Sequence, residues 1–182
     1  MIAPSPAFAE VLIGEEQLRA RVNSLGQQIG DDYADTSSLL MVGLLTGTVF
    51  FLADLVRAIP PTIPVNFDFM SITSYSPQGG SVRIIKDLDV PITGRDVLLV
   101  KDIVDTGLSV GYVLRVLRAR RPRSLRLCVL LDRQSVRLLD IPIHYVGFTI
   151  PDRFVVGYGM DAHGLYRNLP YIGVLPTDLH QP

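Results

Sequence analysis

The chain has 182 residues, a formal net charge of −1 at pH 7 and a hydrophobic content of 48%. This size and composition predict a folded globular protein, organised as one domain over residues 1–182 with a substantial core. The near-neutral charge gives no reason to expect nucleic acid or an anionic membrane as a partner, and the single cysteine excludes an internal disulfide.

Neither the amino-terminal residues nor the apolar stretches predict secretion or membrane insertion. Residues 1–9 contain no basic residue and no sustained apolar core, so we expect no signal peptide and a cytoplasmic protein. Residues 39–53 form the longest apolar stretch, but Thr46, Gly47 and Thr48 interrupt it. It is therefore too short and too broken to span a bilayer.

The first half of the chain predicts helices and strands in alternation. Apolar residues at spacings of three and four predict an amphipathic helix over residues 15–29. Residues 39–44 predict a buried strand, and a small polar turn then leads into a helix that stops at Pro60. Residues 64–73 alternate in polarity and predict another strand, with residues 82–86 as the strand that returns beside it.

The stretch with the most chemical content is residues 97–109, VLLVKDIVDTGLS. It begins with four apolar residues, which predict a buried parallel strand, and apolar residues at helical spacing follow from Val110 onward. Asp102 and Asp105 lie between the strand and the helix. The pattern therefore places two carboxylates at a strand tip, where they suit a metal ion or proton transfer.

The turn that opens this helix predicts a phosphate site. The first turn of a helix presents free backbone N–H groups, and the helix dipole favours an anion there. Thr106 and Ser109 add hydroxyl donors, and Gly107 lets the backbone approach a ligand closely. A plain strand-to-helix turn with capping residues is the alternative interpretation.

Five arginines lie near the end of this helix and beyond it: Arg118, Arg120, Arg121, Arg123 and Arg126. Cations near a helix carboxyl terminus are favoured by the dipole. Because the whole chain is slightly negative, we interpret the cluster as a solvated face rather than a nucleic-acid surface. The strand predicted next, over residues 125–131, ends at Asp132 and Arg133.

The stretch 97–109 resembles the phosphoribosyl pyrophosphate signature of the purine phosphoribosyltransferases. That signature has apolar residues, two acids, two apolar residues and then Asp-Thr/Ser-Gly with a hydroxyl residue. The resemblance covers residues 12–175 approximately and implies the type I phosphoribosyltransferase fold: α/β, with a central, mostly parallel sheet flanked by helices and a small hood. The alternation of strands and helices independently predicts this class. The hood would come from the termini, mainly from residues 148–175.

The resemblance implies roles for the residues of the signature. Asp105 is the candidate base for the proton on the imidazole ring of a purine. The residues implied to bind the 5′-phosphate are Asp105, Thr106, Gly107, Leu108 and Ser109. Lys101 and Asp102 would lie on the side of the ribose and the metal ion.

The segment Leu45-Thr46-Gly47-Thr48 resembles the pyrophosphate-binding loop of the same family. The resemblance implies a cis peptide bond before Thr46, and it implies that Thr46, Gly47 and Arg167 bind pyrophosphate. Residues 74–81 would be a flexible loop that carries Ser74 and Tyr75 and closes over the site, which excludes water during the reaction. A plain hairpin loop is the alternative.

Residues 146–161 and 166–172 are similar to the hood of the hypoxanthine(-guanine) phosphoribosyltransferases. The residues implied to bind the purine are Ile103, Arg133, Phe154, Val155 and Asp161. Phe154 would stack on the ring, as aromatic faces do, and Arg133 would contact the exocyclic oxygen of a 6-oxopurine. The residues implied to lie at the metal ion are Asp102 and Asp161.

These resemblances imply an enzyme of purine salvage. It would transfer the 5-phosphoribosyl group from phosphoribosyl pyrophosphate to hypoxanthine or guanine, giving IMP or GMP and pyrophosphate, with Mg²⁺ as cofactor. Its partners would be these small molecules, without nucleic acid or membrane, in a homodimer or homotetramer.

Three residues depart from the family pattern. Thr46 and Arg133 stand where lysine is usual, and Lys101 stands where an acid is usual. An ammonium group cannot accept hydrogen bonds from ribose hydroxyls. Two other interpretations therefore stay open: a nucleotide-binding regulatory paralogue without turnover, and a pyrimidine-type or RNA-binding regulator on the same fold. For Lys101 itself, we expect the long stem to carry the charge out to solvent and leave Asp102 alone.

Overall fold

The computed structural model describes residues 10–73 and 82–176. The predicted closing loop, with Ser74 and Tyr75, lies outside the described residues. The elements in chain order are β1 (Glu10–Ile13), α1 (Glu15–Asp32), β2 (Leu39–Leu44), α2 (Val49–Ala58), β3 (Val65–Ile72), β4 (Ile84–Lys86), β5 (Asp96–Val104), α3 (Leu108–Ala119), β6 (Ser124–Asp132), a 3-10 turn (Gln134–Val136), β7 (Tyr145–Thr149), β8 (Val155–Val156) and β9 (Ile172–Val174).

Six of the strands form one sheet in the order β4-β3-β2-β5-β6-β7. All neighbours in it pair in parallel except β3 and β4, which are antiparallel. Strands β1, β9 and β8 form a separate antiparallel sheet from both ends of the chain, and β8 and β9 fall within the segment predicted for the hood. The predicted α/β class with a mostly parallel central sheet is confirmed.

The core lies on both faces of the central sheet. Side chains alternate along β2, so that Leu39 and Met41 pack with α1 and α2 while Leu40 and Val42 pack with α3 on the opposite face. The apolar residues that predicted α3 are all buried: Val110, Val113, Leu114 and Leu117. Strands covered on both faces need apolar side chains at nearly every position, which explains why β2 is buried throughout.

Three of the clustered arginines are held in ion pairs at the amino-terminal end of the sheet. Arg120 pairs with Asp87, Arg123 with Asp96 and Arg126 with Asp32. In the described part of the chain, none of the helices is long and apolar enough to cross a membrane. Cys128 is buried in β6, and this burial raises the pKa of its thiol.

Candidate active site

Predicted site residues from three segments of the chain meet at the carboxyl ends of the central strands. Strand β2 leads into residues 45–48, β5 leads into residues 105–109, and β6 ends next to Arg133. Because these strands are parallel neighbours, their carboxyl ends lie along one edge of the sheet, where open α/β sheets bind ligands. The topology thus brings together segments that are far apart in sequence.

A cavity of about 170 Å³ lies at this edge. Its lining residues are Asp102, Ile103, Asp105, Arg133, Phe154, Val155, Met160 and Asp161. All five residues predicted to bind the purine are in this set, with both acids of the signature. A larger cavity of about 440 Å³ lies between α1, α2 and residues 158–170. Of the predicted site residues that the structure describes, only Arg167 borders it.

The 105–109 turn has the geometry of an anion site. Gly107 precedes the first residue of α3 in the left-handed region, with φ of 83°. A β-carbon there would lie 2.7 Å from the Leu139 carbonyl oxygen, so both the conformation and the space require glycine. The first helical hydrogen bond is donated by the Gly111 N–H to the Gly107 carbonyl at 2.8 Å. The N–H groups before Gly111 have no such helical acceptor, and that of Leu108 donates only a long bond, at 3.5 Å, to the Thr106 hydroxyl. This helix start is therefore a suitable position for a phosphate.

Asp105 and Arg133 lie next to each other in the lining of the cavity. The Arg133 Nε atom lies 3.2 Å from Asp105 Oδ1, and the Asp105 side chain is 45% exposed. The two charges attract, but both atoms are buried without a hydrogen-bond partner, because the geometry between them is not that of a hydrogen bond. The carboxylate can accept a further hydrogen bond and the guanidinium group can donate one, and the Asp105 side chain is open enough for a ligand to reach it.

Lys101 does not extend to solvent. Its ammonium group donates to Asp102 Oδ1, and the side chains of Lys101 and Asp102 are only 18% and 9% exposed. The expectation that the stem carries the charge outward is wrong. The physical reason is that a carboxylate with so little access to water needs a partner, and Lys101 is adjacent.

The 45–48 loop packs tightly against β5 and the hood. The Leu45–Thr46 peptide bond is cis, which confirms the implication of the resemblance. A β-carbon on Gly47 would overlap Asp102 Oδ2, and one on Gly159 would overlap the Gly47 carbonyl oxygen. Gly47 is therefore held between Asp102 and Gly159, close to the carboxylate that Lys101 neutralises.

Asp161 and Arg167 are paired with each other. The Arg167 Nη2 atom lies 2.8 Å from Asp161 Oδ1, and Arg167 Nη1 donates to the Gly159 carbonyl at 2.6 Å. Asp161 also accepts the Gly164 N–H at 2.7 Å. Since Gly159 packs on Gly47, Arg167 is placed near the 45–48 loop, as its predicted pyrophosphate role requires.

Tyr158 joins the hood to helix α2. Its hydroxyl group donates to Asp54 Oδ2 at 2.5 Å, and its ring lies 6.5 Å from that of Phe50. Burial, and then the bond to Asp54, raise the pKa of Tyr158, so the phenol is neutral at physiological pH. This contact fixes the residue next to Gly159 and thus the approach of the hood to the 45–48 loop.

A family model for the phosphoribosyl transferase domain matches residues 14–163. The chain belongs to this phosphoribosyltransferase family. A hypoxanthine-guanine phosphoribosyltransferase of Mycobacterium avium is 48% identical over 179 residues, covering 94% of this chain and 87% of the relative. A hypoxanthine phosphoribosyltransferase of Salmonella typhimurium is 46% identical over 168 residues, covering 90% of this chain and 93% of the relative.

Solved structures of family members share the fold over most of the chain. A hypoxanthine phosphoribosyltransferase of Staphylococcus aureus gives a TM-score of 0.91 at 40% identity, covering 96% of this chain and 95% of that chain. A hypoxanthine-guanine phosphoribosyltransferase of Bacillus anthracis, with a HEPES molecule in its active site, gives a TM-score of 0.88 at 40% identity. The match covers 93% of this chain and 99% of that chain.

In this phosphoribosyltransferase, sequence reasoning missed two residues behind the site. Asp132 and Arg137 form an ion pair, and Arg137 also donates to the Asp105 carbonyl at 2.7 Å. Met160, which lines the cavity, was missed too. The available signal was Asp132 itself: an acid at the end of a buried strand needs a cation, and the next cations in the chain are Arg133 and Arg137.

Proposed function

We infer that this chain is an enzyme of purine salvage, which transfers the 5-phosphoribosyl group from phosphoribosyl pyrophosphate to hypoxanthine or guanine. The products are IMP or GMP and pyrophosphate. The observation that carries this inference is the cavity in which Asp105, Arg133 and Phe154 meet beside the 105–109 turn. The names and coverage of the relatives support the same substrate class.

The purine lies in the cavity between Phe154 and the end of β5. Its six-membered ring stacks on Phe154, and its exocyclic oxygen accepts a hydrogen bond from the guanidinium group of Arg133. Asp105 then accepts the proton from one imidazole nitrogen while the other imidazole nitrogen attacks C1 of the ribose. A positioned base of this kind contributes roughly 10²–10⁴-fold to the rate.

The sugar is held by its charged substituents. The 5′-phosphate binds to the backbone N–H groups and hydroxyls of residues 106–109, and pyrophosphate lies between the 45–48 loop and Arg167. As the C1–N bond forms, the C1–O bond breaks and pyrophosphate leaves with the electron pair. Cationic groups near the leaving group stabilise its charge in the transition state.

The donor set fits Mg²⁺ that arrives with the substrate rather than a resident metal ion. Among residues 10–73 and 82–176, no three His, Cys, Asp or Glu side chains are grouped to hold a metal. The candidate carboxylates Asp102 and Asp161 are each paired with a cation. Since Mg²⁺ uses one or two carboxylates together with substrate phosphates, these two residues would hold it, and it would neutralise pyrophosphate charge.

We also propose that the enzyme is cytoplasmic and forms a homodimer or homotetramer, as its resemblance to the family implies. Light scattering of the purified chain measures the oligomeric state.

The regulatory alternatives draw no support from the comparisons, in which the relatives named above are transferases.

Product formation tests the proposed function. Purified protein is incubated with phosphoribosyl pyrophosphate, Mg²⁺ and hypoxanthine, guanine or xanthine, with and without a chelator. We expect nucleotide formation that the chelator abolishes. If a folded protein that binds IMP forms no nucleotide at high enzyme concentration, the chain is a nucleotide-binding regulator instead. RNA retention that falls with salt would indicate the RNA-binding alternative.

A further inference from the structure

Arg137 connects the carboxyl ends of the two central strands. It follows the 3-10 turn after β6, and its Nε atom donates to the Asp105 carbonyl at 2.7 Å. Its Nη2 atom donates to the Val104 carbonyl at 3.4 Å and to Asp132 Oδ1. One guanidinium group thus joins the last carbonyl of β5, and the carbonyl that follows it, to a carboxylate at the end of β6.

Asp132 is the anchor of this connection. It is 2% exposed, and its second oxygen accepts a hydrogen bond from Gln134 Nε2 at 2.9 Å. In the sheet, Asp132 is the register partner of Val104. A carboxylate that is so fully buried is strongly destabilising without a cation, so Asp132 fixes the position of Arg137.

The chain after Arg137 continues the same contact. The N–H groups of Leu138 and Leu139 both donate to the Thr106 carbonyl at 3.0 Å. Three consecutive carbonyls, those of Val104, Asp105 and Thr106, therefore accept hydrogen bonds from residues 137–139. The Arg137 Cδ atom also lies 3.1 Å from the point where a β-carbon of Gly107 would be.

This arrangement sets the direction of the backbone in the 105–109 turn. Because the carbonyls before Gly107 are held by residues 137–139, the turn cannot rotate its peptide groups without breaking these bonds. The N–H groups at the start of α3 then stay directed at the position of the anion.

We propose that Arg137 is a positioning residue of the phosphate subsite, anchored by Asp132 and acting through the backbone of residues 104–107. The inference rests on the proposed function, and it assigns to Arg137 no contact with substrate. Removal of its guanidinium group should therefore weaken the binding of phosphate groups more than the binding of the purine.

The chain offers a matched control at the opposite end of the same two strands. Arg123 pairs with Asp96, and Asp96 is the register partner of Ser124 at the start of β5 and β6. Arg123→Met and Arg137→Met each remove a guanidinium group from a largely buried aspartate. Only Arg137 touches the 105–109 turn, so a difference between the two variants in ligand binding reports on positioning rather than on stability.

The test compares ligands with and without a phosphate. IMP and inosine are titrated by calorimetry against the wild type, Arg137→Met, Arg137→Lys and Arg123→Met. We expect Arg137→Met to weaken IMP binding about tenfold or more and to raise the KM for phosphoribosyl pyrophosphate by a similar factor. Inosine binding and the KM for the purine should change less than about threefold, and Arg123→Met should change neither.

Arg137→Lys keeps the charge opposite Asp132 but cannot span two carbonyls, because lysine lacks the guanidinium fork. We expect Arg137→Lys to have the melting temperature of the wild type but the weakened IMP affinity of Arg137→Met. Arg137→Lys therefore tests the proposal even if Arg137→Met fails to fold. If the variants at 137 and 123 lose stability equally and IMP binding stays unchanged, the role of Arg137 is structural only. A wild type without turnover overturns the proposed function, while the comparison of IMP with inosine still decides this inference.

Discussion

At the scale of single residues, the site depends on how its acids and cations are paired. The pairs are Lys101 with Asp102, Arg133 with Asp105, and Arg167 with Asp161. Each acid that the sequence singled out therefore has a cation in contact before any substrate binds. In the proposed function, substrate phosphates and the purine replace these ion pairs with new contacts. Substitution of either partner of a pair should therefore change both the ion pair and the binding of the ligand that replaces it.

The first prediction concerns Asp105. Asp105→Asn removes the proton acceptor but preserves the shape of the 105–109 turn, so we expect kcat to fall by roughly 10–10³-fold while IMP binding is retained. Steady-state kinetics and IMP titration measure the two effects. The matched control is Asp152→Asn, because Asp152 also lies near Arg133, at 3.4 Å from Nη1, and is mostly exposed. An unchanged kcat in Asp105→Asn would show that another group takes the proton.

Lys101 carries the second prediction. Because its ammonium group occupies Asp102 Oδ1, it would compete with the Mg²⁺ that we propose to bind there. Lys101→Gln should therefore lower the Mg²⁺ concentration for half-maximal activity by about threefold or more. If the KM for phosphoribosyl pyrophosphate rises instead, Lys101 binds substrate phosphate directly.

Lys86→Gln is the control for this substitution. Lys86 is the other lysine of the chain and is also ion-paired, at 3.1 Å from Asp89, but it lies on the edge strand β4. Lys86→Gln should leave the Mg²⁺ concentration for half-maximal activity unchanged.

At the scale of elements, two strand-to-helix connections form the site, and the hood closes onto one of them. The 45–48 loop follows β2, and the 105–109 turn follows β5. The hood contacts the 45–48 loop through Gly159, which packs on the Gly47 carbonyl. The space at Gly47 therefore determines how closely β2, β5 and the hood approach one another.

Gly47→Ala tests this close approach. The added β-carbon would overlap the Asp102 carboxylate, so the loop or the Lys101–Asp102 pair must shift. We expect kcat/KM for phosphoribosyl pyrophosphate to fall about tenfold or more, with a smaller effect on the KM for hypoxanthine. Gly14→Ala is the control, since a β-carbon there meets only Gln17 Oε1, at 3.6 Å. Equal activity of the two variants would mean that the loop tolerates displacement.

The periodicity of the sequence predicted the elements better than their contacts. The apolar patterns of β2 and α3 are local and were confirmed. The alternation in residues 64–73 also predicted a strand, but it did not identify the buried face: Phe67 is 59% exposed, while Asp68 is buried and binds the N–H of Asp89. That face is set by the neighbouring strand, which no local pattern contains.

The site was predictable where residue type alone indicates chemistry. The acids, the glycine and the hydroxyls near the tip of β5 could be named from the sequence. The direction of the Lys101 side chain and the contacts of Arg137 could not, because both depend on buried carboxylates whose burial only the fold determines. The predicted outward direction of Lys101 was wrong for this reason.

At the scale of the whole molecule, one end of the central sheet forms the candidate site and the other end stabilises the fold. The carboxyl ends of the strands carry the site, and the amino ends carry ion pairs that hold the helices and strands together. Asp96 accepts hydrogen bonds from Arg123 and from the Ser124 hydroxyl at 2.7 Å, and it is buried. The bond from Arg123 holds the pKa of Asp96 well below its ordinary value.

Acid stability tests the role of Asp96. Its folded pKa is depressed, so its contribution to stability is present above the unfolded value, about 3.9, and is lost as the pH falls below it. We expect Asp96→Asn to be less stable than the wild type at pH 7 and to lose less stability between pH 7 and pH 3.5. Urea denaturation at both pH values measures this, and parallel losses in the two proteins would contradict it. Activity at pH 7 should be unchanged.

The most direct test of the account is the choice between hypoxanthine and adenine. Arg133 can only donate hydrogen bonds, so at its position it matches an exocyclic oxygen and offers no acceptor to the amino group of adenine. We predict kcat/KM for hypoxanthine at least about 10²-fold above that for adenine, with phosphoribosyl pyrophosphate and Mg²⁺ saturating. Equal or better use of adenine would contradict the account.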